Sequence, residues 1–189
     1  MSAHDHGHIE GSNKNIALLI AALAALLALS ETAGKSAQTA ALSLHIEASN
    51  LWNFFQAKTI RMTTVRTAAE TLEANAAAAS SPPAKETIEK RLASWRAAAA
   101  RYDSEPETRE GRKELMERAR ETEKKRDYKL AAYHHFELAS AAFQLAIVLA
   151  SAAVVTSVML LAWISAGLGV IGAVLAGIGF FAPMAVHLF

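Results

Sequence analysis

The sequence predicts an all-α integral membrane protein with three transmembrane helices and a coiled-coil-like helical insert between the first and the second. Three observations lead to this fold class. Hydrophobic residues make up 52% of the 189 residues and are concentrated at the two ends, whereas the charged residues, 20% of the total, lie mostly in the middle. The middle repeats apolar residues at heptad spacing. Nine glycines and four prolines are too few for an all-β fold.

The C-terminal part of the chain holds two of the predicted spans. No charged residue follows Glu137, which leaves an uncharged run of about 50 residues. Such a run suits two membrane crossings, since one crossing needs roughly 20 residues. Small residues at 165–169 predict the break between them. We therefore expect transmembrane helices over 136–164 and 168–188.

The first span is predicted over 15–36, after a polar, histidine-containing tail over 1–14. Residues 16–29 are wholly apolar, and Glu31 and Lys35 are spaced to pair on one helix face. A signal-peptide core is the alternative reading. The tail opposes it, because two acidic residues and a single lysine make a poor basic region.

Residues 37–135 form the predicted soluble insert of three long helices. Proline-containing segments at 80–83 and 103–106 end the first and the second helix. The third helix is charged from Glu107 onward and continues into the second span. A heptad seam along the first helix predicts a buried face. Its members are Leu44, Ala48, Leu51, Phe55, Lys58, Met62, Val65, Ala69, Leu72 and Ala76.

Three side chains near the centre of this seam have two interpretations each. Lys58 either forms a structural ion pair with a carboxylate from a neighbouring helix or fixes the register of the seam. Trp52 and Phe54 lie off the seam, and either pack within the insert or a partner, or form a platform for a ligand.

Histidines are the candidate metal ligands. The alternation His4, His6 and His8 can hold zinc, nickel or copper, or can belong to a polar tail with adventitious affinity. Three more histidines allow a metal or proton-relay site, or act as interface residues that cap polar groups: His45, His134 and His135. No established metal-binding spacing occurs among them.

Residues 167–172 match the dinucleotide pattern G-x-G-x-x-G, but no strand precedes them. Helix packing is the better interpretation. Gly169, Ala173 and Gly177, with Ser165, are spaced by four residues and form a small-residue stripe that permits close approach of helices in lipid. The partner is either another span of the same chain or a second subunit.

The charge pattern predicts the topology. A formal net charge of +1 gives no electrostatic basis for nucleic-acid binding. Residues 31–137, the insert with its flanking residues, hold 18 of the 19 Lys and Arg residues, so we expect the insert in the cytoplasm, with the N-terminus outside. The mixed run over 109–129 is typical of a solvated helix. Four basic residues beside the second span are expected to contact lipid head groups: Lys124, Lys125, Arg126 and Lys129.

One segment resembles a known family. The run over 48–61, Ala-Ser-Asn-Leu-Trp-Asn-Phe-Phe-Gln-Ala-Lys-Thr-Ile-Arg, is similar to the signature of bacterial membrane proteins filed as domain of unknown function 4337, and 136–139 with 146–151 looks like the start of that family's second span. The resemblance covers 13–181. It implies a three-span protein of the bacterial inner membrane with a helical insert, and it implies no activity.

Two function classes remain. The sequence contains no nucleophile–base arrangement, so we expect no enzyme and no cofactor. The first class is a membrane-anchored structural or interaction protein that self-assembles or is an accessory subunit of a larger complex; its partners are membrane lipid and further copies or other subunits. The second is a component of an oligomeric channel or transporter. An intramolecular bundle, in which each stripe already has its partner, is the alternative to assembly.

Overall fold

The computed structural model describes the backbone of residues 6–78 and 81–186 and the side chains of residues 14–76 and 81–186. All regular structure within these ranges is helical. Three of the helices are long and apolar enough to cross a membrane, which confirms the predicted all-α class with three candidate spans. The four helices are α1 (His6–Ala78), α2 (Pro82–Asp103), α3 (Arg112–Thr156) and α4 (Met159–Phe181).

The helices form two compact units. The membrane unit consists of the residues up to 42 and those from 126 onward, and the insert unit consists of Ser43–Lys125. Helices α1 and α3 contribute to both units, α2 belongs to the insert unit and α4 to the membrane unit. Each unit has its own hydrophobic core.

Helix α1 runs for 73 residues without a break. It contains no proline and is rich in Ala and Leu, which are strong helix formers. Gly34 does not interrupt it, because this position packs against α3, where an added Cβ would lie 3.3 Å from Phe136 Cβ. The helix ends at Ala78, and α2 begins with Pro82 in its first turn, where proline is favoured. The predicted break at 80–83 is confirmed.

The connection between α2 and α3 is longer than predicted. The sequence predicts a helix that already includes Glu107, but α3 begins at Arg112. Two residues explain the delay. Arg109 adopts a left-handed backbone with φ of 56°, and Gly111 approaches the backbone of the preceding turn so closely that a Cβ would collide with it.

The connection between α3 and α4 consists of only two residues, Ser157 and Val158. Ser157 has a left-handed backbone with φ of 58°, and the Val158 N–H donates to Thr156 Oγ1 at 3.4 Å. The predicted break at 165–169 is therefore wrong. Of the predicted transmembrane helices over 136–164 and 168–188, the first ends earlier, at Thr156, and the second runs from Met159 to Phe181. The start of the second span at 136, inside α3, stays a prediction.

Ser165 lies inside α4 because its hydroxyl has a partner on the neighbouring helix. It is fully buried and donates to the Ala146 carbonyl at 2.7 Å. In an apolar surrounding, a helix break would leave backbone groups without partners. Helix α4 therefore continues for 23 residues, about 34 Å at 1.5 Å per residue, which exceeds the hydrocarbon thickness of about 30 Å.

Helix α4 packs through a face of small residues. A Cβ at Gly169 would lie 2.7 Å from Leu23 of α1, and one at Gly172 would lie 2.8 Å from the ring of Phe143 in α3. Glycine at these positions lets both neighbours approach the α4 backbone. The buried residues of this face are Ala162, Ser165, Gly169, Gly172 and Gly179.

Within the described chain, only part of the predicted stripe with four-residue spacing packs against another helix, so a second subunit as its partner stays a prediction. Gly169 is buried, but Ala173 is exposed and an added Cβ at Gly177 would have no neighbour within 4 Å. Residues four apart turn away by about 40° at each step, because a helix has 3.6 residues per turn. Contacts between nearly aligned helices instead alternate three and four residues. Ala173 therefore faces away from the chain's own helices, and half-buried Gly177 has no described atom within 4 Å of its Cβ position.

The buried face of α1 in the insert unit is the predicted heptad seam. Leu51 and Met62 are buried and Phe55 is half-buried. Leu51 shares a core cluster with Leu115 and Ala119 of α3. The seam thus has its partner within the chain, which is the intramolecular arrangement that the sequence left open.

We expect Gly172→Leu to destabilise the membrane unit, because its side chain would enter the space of the Phe143 ring. Overpacking of this kind costs about 1–3 kcal/mol. Gly177→Leu is the matched control, since a Cβ there meets open space. Thermal unfolding in a mild detergent should show a lower Tm for the first variant only; equal losses for both would contradict this packing.

Candidate functional site

Lys58 occupies the centre of the insert unit. Its side chain is 9% exposed, and Nζ lies 3.9 Å from Glu105 Oε2 and 4.0 Å from Glu110 Oε2. The ammonium group also lies over the rings of Phe54 and Tyr102, at 5.3 and 5.6 Å from their centroids. These contacts agree with the predicted structural ion pair, and they give the charge both carboxylate and cation–π partners.

A small cavity beside Lys58 offers no catalytic arrangement. It has a volume of about 190 Å³. The charged side chains that line it are already paired, because the Glu105 carboxylate forms ion pairs with both Lys58 and Arg101. The pKa of Glu105 is lowered, chiefly by the hydrogen bond from Arg101. The lining residues are Lys58, Ala98, Arg101, Tyr102 and Glu105.

Carboxylates also fix the turn between α2 and α3. Glu114 accepts hydrogen bonds from the Ser104 hydroxyl and from the Glu105 backbone N–H. The bond from Ser104 is the main reason that the pKa of Glu114 is lowered. The pKa of Asp103 is lowered as well, chiefly by a hydrogen bond from Lys113. Both groups favour their charged form, so the turn depends on their ionisation.

The aromatic residues off the seam pack within the insert unit. Trp52 Nε1 donates to Glu123 Oε1 at 2.9 Å, and its ring meets Phe55 edge-on at 5.4 Å. The ring of Phe54 lies beside the Lys58 ammonium group. These contacts agree with the predicted packing of Trp52 and Phe54 within the insert.

A polar groove lies between α1 and α3 in the membrane unit. Its volume is about 430 Å³. The sequence pattern gives no sign of this groove, because the two helix segments that form it are more than ninety residues apart. The residues that line it, which define the polar groove below, are Ser30, Glu31, Gly34, Lys35, Gln38, Tyr133, Phe136, Glu137, Ser140, Ala141 and Gln144.

Neutral side chains donate hydrogen bonds to the two carboxylates of the groove. Gln144 Nε2 donates to Glu31 Oε1 at 3.2 Å, and the Tyr133 hydroxyl donates to Glu137 Oε1 at 3.2 Å. The expected pair of Glu31 with Lys35 is absent among the described side chains at ion-pair distances up to 4.0 Å. Glu31 is thus held by the neighbouring helix and not by its own.

The two carboxylates lie at a similar level. Helices α1 and α3 run antiparallel here, since Leu23 packs with Phe143 and the later Ala37 packs with Ala132. Glu31 lies between the two α1 positions, and Glu137 lies between the two α3 positions. The carboxylates therefore face the same part of the groove.

His135 closes the end of α4. The imidazole is 1% exposed, and Nε2 lies 3.2 Å from the Pro183 carbonyl oxygen. This contact matches the predicted capping of polar groups by interface histidines. His134 Nδ1 lies 3.7 Å from Glu137 Oε2. Among the side chains that the structure describes, no group of three or more His, Asp or Glu is arranged to hold a metal ion.

The remaining predicted sites stay predictions. His4, His6 and His8 lie outside the residues whose side chains are described. Lys124, Lys125 and Lys129 are exposed on α3, as head-group binding requires. Lys125 pairs with Glu121 at 3.0 Å, and Arg126 pairs with the adjacent aspartate at 2.8 Å.

The fold defines the class: an all-α chain with three candidate membrane spans and a helical insert unit. Within that class, residues 12–182 match the family model described as domain of unknown function DUF4337. The chain belongs to this family, which confirms the resemblance noted in the sequence. No curated protein and no solved structure matches the chain.

We expect the insert unit to lose stability in acid. The folded-state pKa values of Asp103 and Glu114 are lowered, so their stabilisation is present above the ordinary pKa values of 3.8 for Asp and 4.5 for Glu and is lost as pH falls through the lowered values. Glu114→Gln should cost about 1 kcal/mol at pH 7 and flatten the acid dependence of Tm. The exposed control Glu89→Gln should leave that dependence unchanged; identical profiles for both variants would contradict the role of Glu114.

Proposed function

We propose that this protein is a membrane-anchored helical interaction protein, which self-assembles or serves as an accessory subunit of a larger membrane complex. The outer face of α1 in the insert unit carries the proposal. Ile46 and Ile60 are 54% and 66% exposed there. They are two heptads apart and so share one face of the helix, opposite the buried seam.

A partner helix along this face would remove both isoleucines from water. Full burial of such a side chain is worth roughly 1.5–3 kcal/mol. The seam on the other side already has partners within the chain, through Leu51 and Lys58. The charged groups around Lys58 are committed to internal ion pairs, which supports a binding role rather than a catalytic one.

Ile46→Lys combined with Ile60→Lys should lower the oligomer mass or release a co-purifying subunit. The reason is that two lysines on the contact face oppose burial of the helix. Ser94→Lys with Ala97→Lys, on the exposed side of α2, is the matched control and should leave the mass unchanged. The oligomer mass is measured by native mass spectrometry in several mild detergents and in nanodiscs. A wild-type protein that is monomeric under all of these conditions would contradict the proposed self-assembly.

We further propose a bacterial inner-membrane location with the insert unit in the cytoplasm and the N-terminus outside. The distribution of basic residues supports this orientation. Lysines and arginines lie beside the second span on its insert side, whereas the two-residue connection between α3 and α4 at its other end carries no charge, and the side richer in basic residues is usually cytoplasmic. Lipid head groups are the proposed partners of Lys124, Lys125, Arg126 and Lys129.

Ser94→Cys tests the orientation, because Ser94 is exposed. The thiol should resist an impermeant reagent in intact cells and react after the cells are lysed. Labelling of intact cells would contradict a cytoplasmic insert.

A component of an oligomeric channel or transporter is the second candidate, favoured by Glu31 and Glu137 within candidate membrane helices. The polar groove occupies only one end of the membrane unit. Towards the other end of α3, Ser151 and Thr156 donate to carbonyls of their own helix. A polar pathway would therefore need several copies of the chain.

A further inference from the structure

The polar groove of the membrane unit has an excess of negative charge. Glu31 and Glu137 line it together with a single lysine, Lys35. Among the described side chains, no lysine or arginine lies within 4.0 Å of either carboxylate. The partners in contact with them are the Gln144 amide and the Tyr133 hydroxyl, each at 3.2 Å, and the His134 imidazole, at 3.7 Å from Glu137 Oε2. The groove thus presents two carboxylate acceptors that no described lysine or arginine contacts.

The groove is ordered along the helix axes. Lys35 lies one turn beyond Glu31, about 6 Å towards the insert-proximal end. Ser140 and Gln144 follow Glu137 in the opposite direction, at the spacing of one helix face. Val148, one turn further and 64% exposed, continues that face with an apolar surface. From the apolar end outward, the order is hydrocarbon, amide and hydroxyl, carboxylates, and lysine.

We propose that the polar groove binds the ammonium group of a single-chain amphiphilic primary amine taken from the membrane. The three N–H donors of the ammonium group match the Glu31 and Glu137 carboxylates and the Ser140 hydroxyl oxygen. The hydrocarbon chain extends over Ala141 and Val148. This inference goes beyond the proposed interaction role and does not depend on it.

The order of groups selects this ligand over an ordinary phospholipid. In an ethanolamine phospholipid the phosphate lies between the hydrocarbon chains and the amine. Its phosphate would then meet Glu31 and Glu137, and its amine would meet Lys35, so that both contacts repel. In an amphiphilic amine the ammonium group is attached directly to the chain, which brings it to the level of the carboxylates.

Dodecylamine is the probe, and the full-length protein in nanodiscs of zwitterionic lipid is the sample. Binding of radiolabelled dodecylamine is measured relative to empty nanodiscs, with dodecanol as the uncharged ligand of equal length. We expect saturable binding of the amine only. Glu31→Gln with Glu137→Gln should weaken it at least about tenfold, the usual range for lost charge-assisted hydrogen bonds.

Two further variants keep the test decisive. Lys35→Gln removes the repelling charge and should tighten binding, which a misfolded protein would not do. Glu121→Gln, an exposed glutamate of the insert unit, should bind as the wild type does. Circular dichroism and Tm establish that each variant is folded. Equal binding of amine and alcohol, or undiminished amine binding by the folded double variant, would overturn the proposal; oligomer mass, measured without amine, tests the interaction role separately.

Discussion

The close approach of α4 to its neighbours is the constraint on which the membrane unit depends. Apolar surroundings give helices little hydrophobic reason to associate, so their contact relies on dispersion between closely packed atoms. Gly169 and Gly172 bring Leu23 and Phe143 onto the α4 backbone. Helix α4 thereby occupies the face of α3 that carries Phe143, and leaves a different face, with Glu137 and Gln144, to the polar groove.

The insert unit is held by a different balance of forces. Its core cluster around Leu51 is small, and charged groups complete it. Removing one partner of a nearly buried ion pair costs more than the pair contributes, because the remaining charge is left without compensation. Lys58 therefore constrains the connection between α2 and α3, which contains both Glu105 and Glu110. Carboxylates therefore stabilise the turn before α3, in addition to the backbone conformations of Arg109 and Gly111.

Features with a local cause were predictable. Proline ends α1, and the heptad period identifies the buried face through Leu51, Lys58 and Met62. The turn at Ser157 was not predictable, because a left-handed serine among apolar residues leaves no glycine or proline signal. The groove was missed for another reason: the bond between Glu31 and Gln144 joins residues 113 positions apart, and helical periodicity reports only nearby neighbours.

That long separation has a consequence for biosynthesis. The first span leaves the ribosome long before the helix that pairs with it, and at roughly 5–20 residues per second the delay amounts to about 6–20 s. During this interval Glu31 has no Gln144 to donate to it. Until α3 arrives, water or groups of another molecule have to solvate the Glu31 carboxylate in place of Gln144. Assembly of the membrane unit is consequently a late event, completed only when the last third of the chain has been translated.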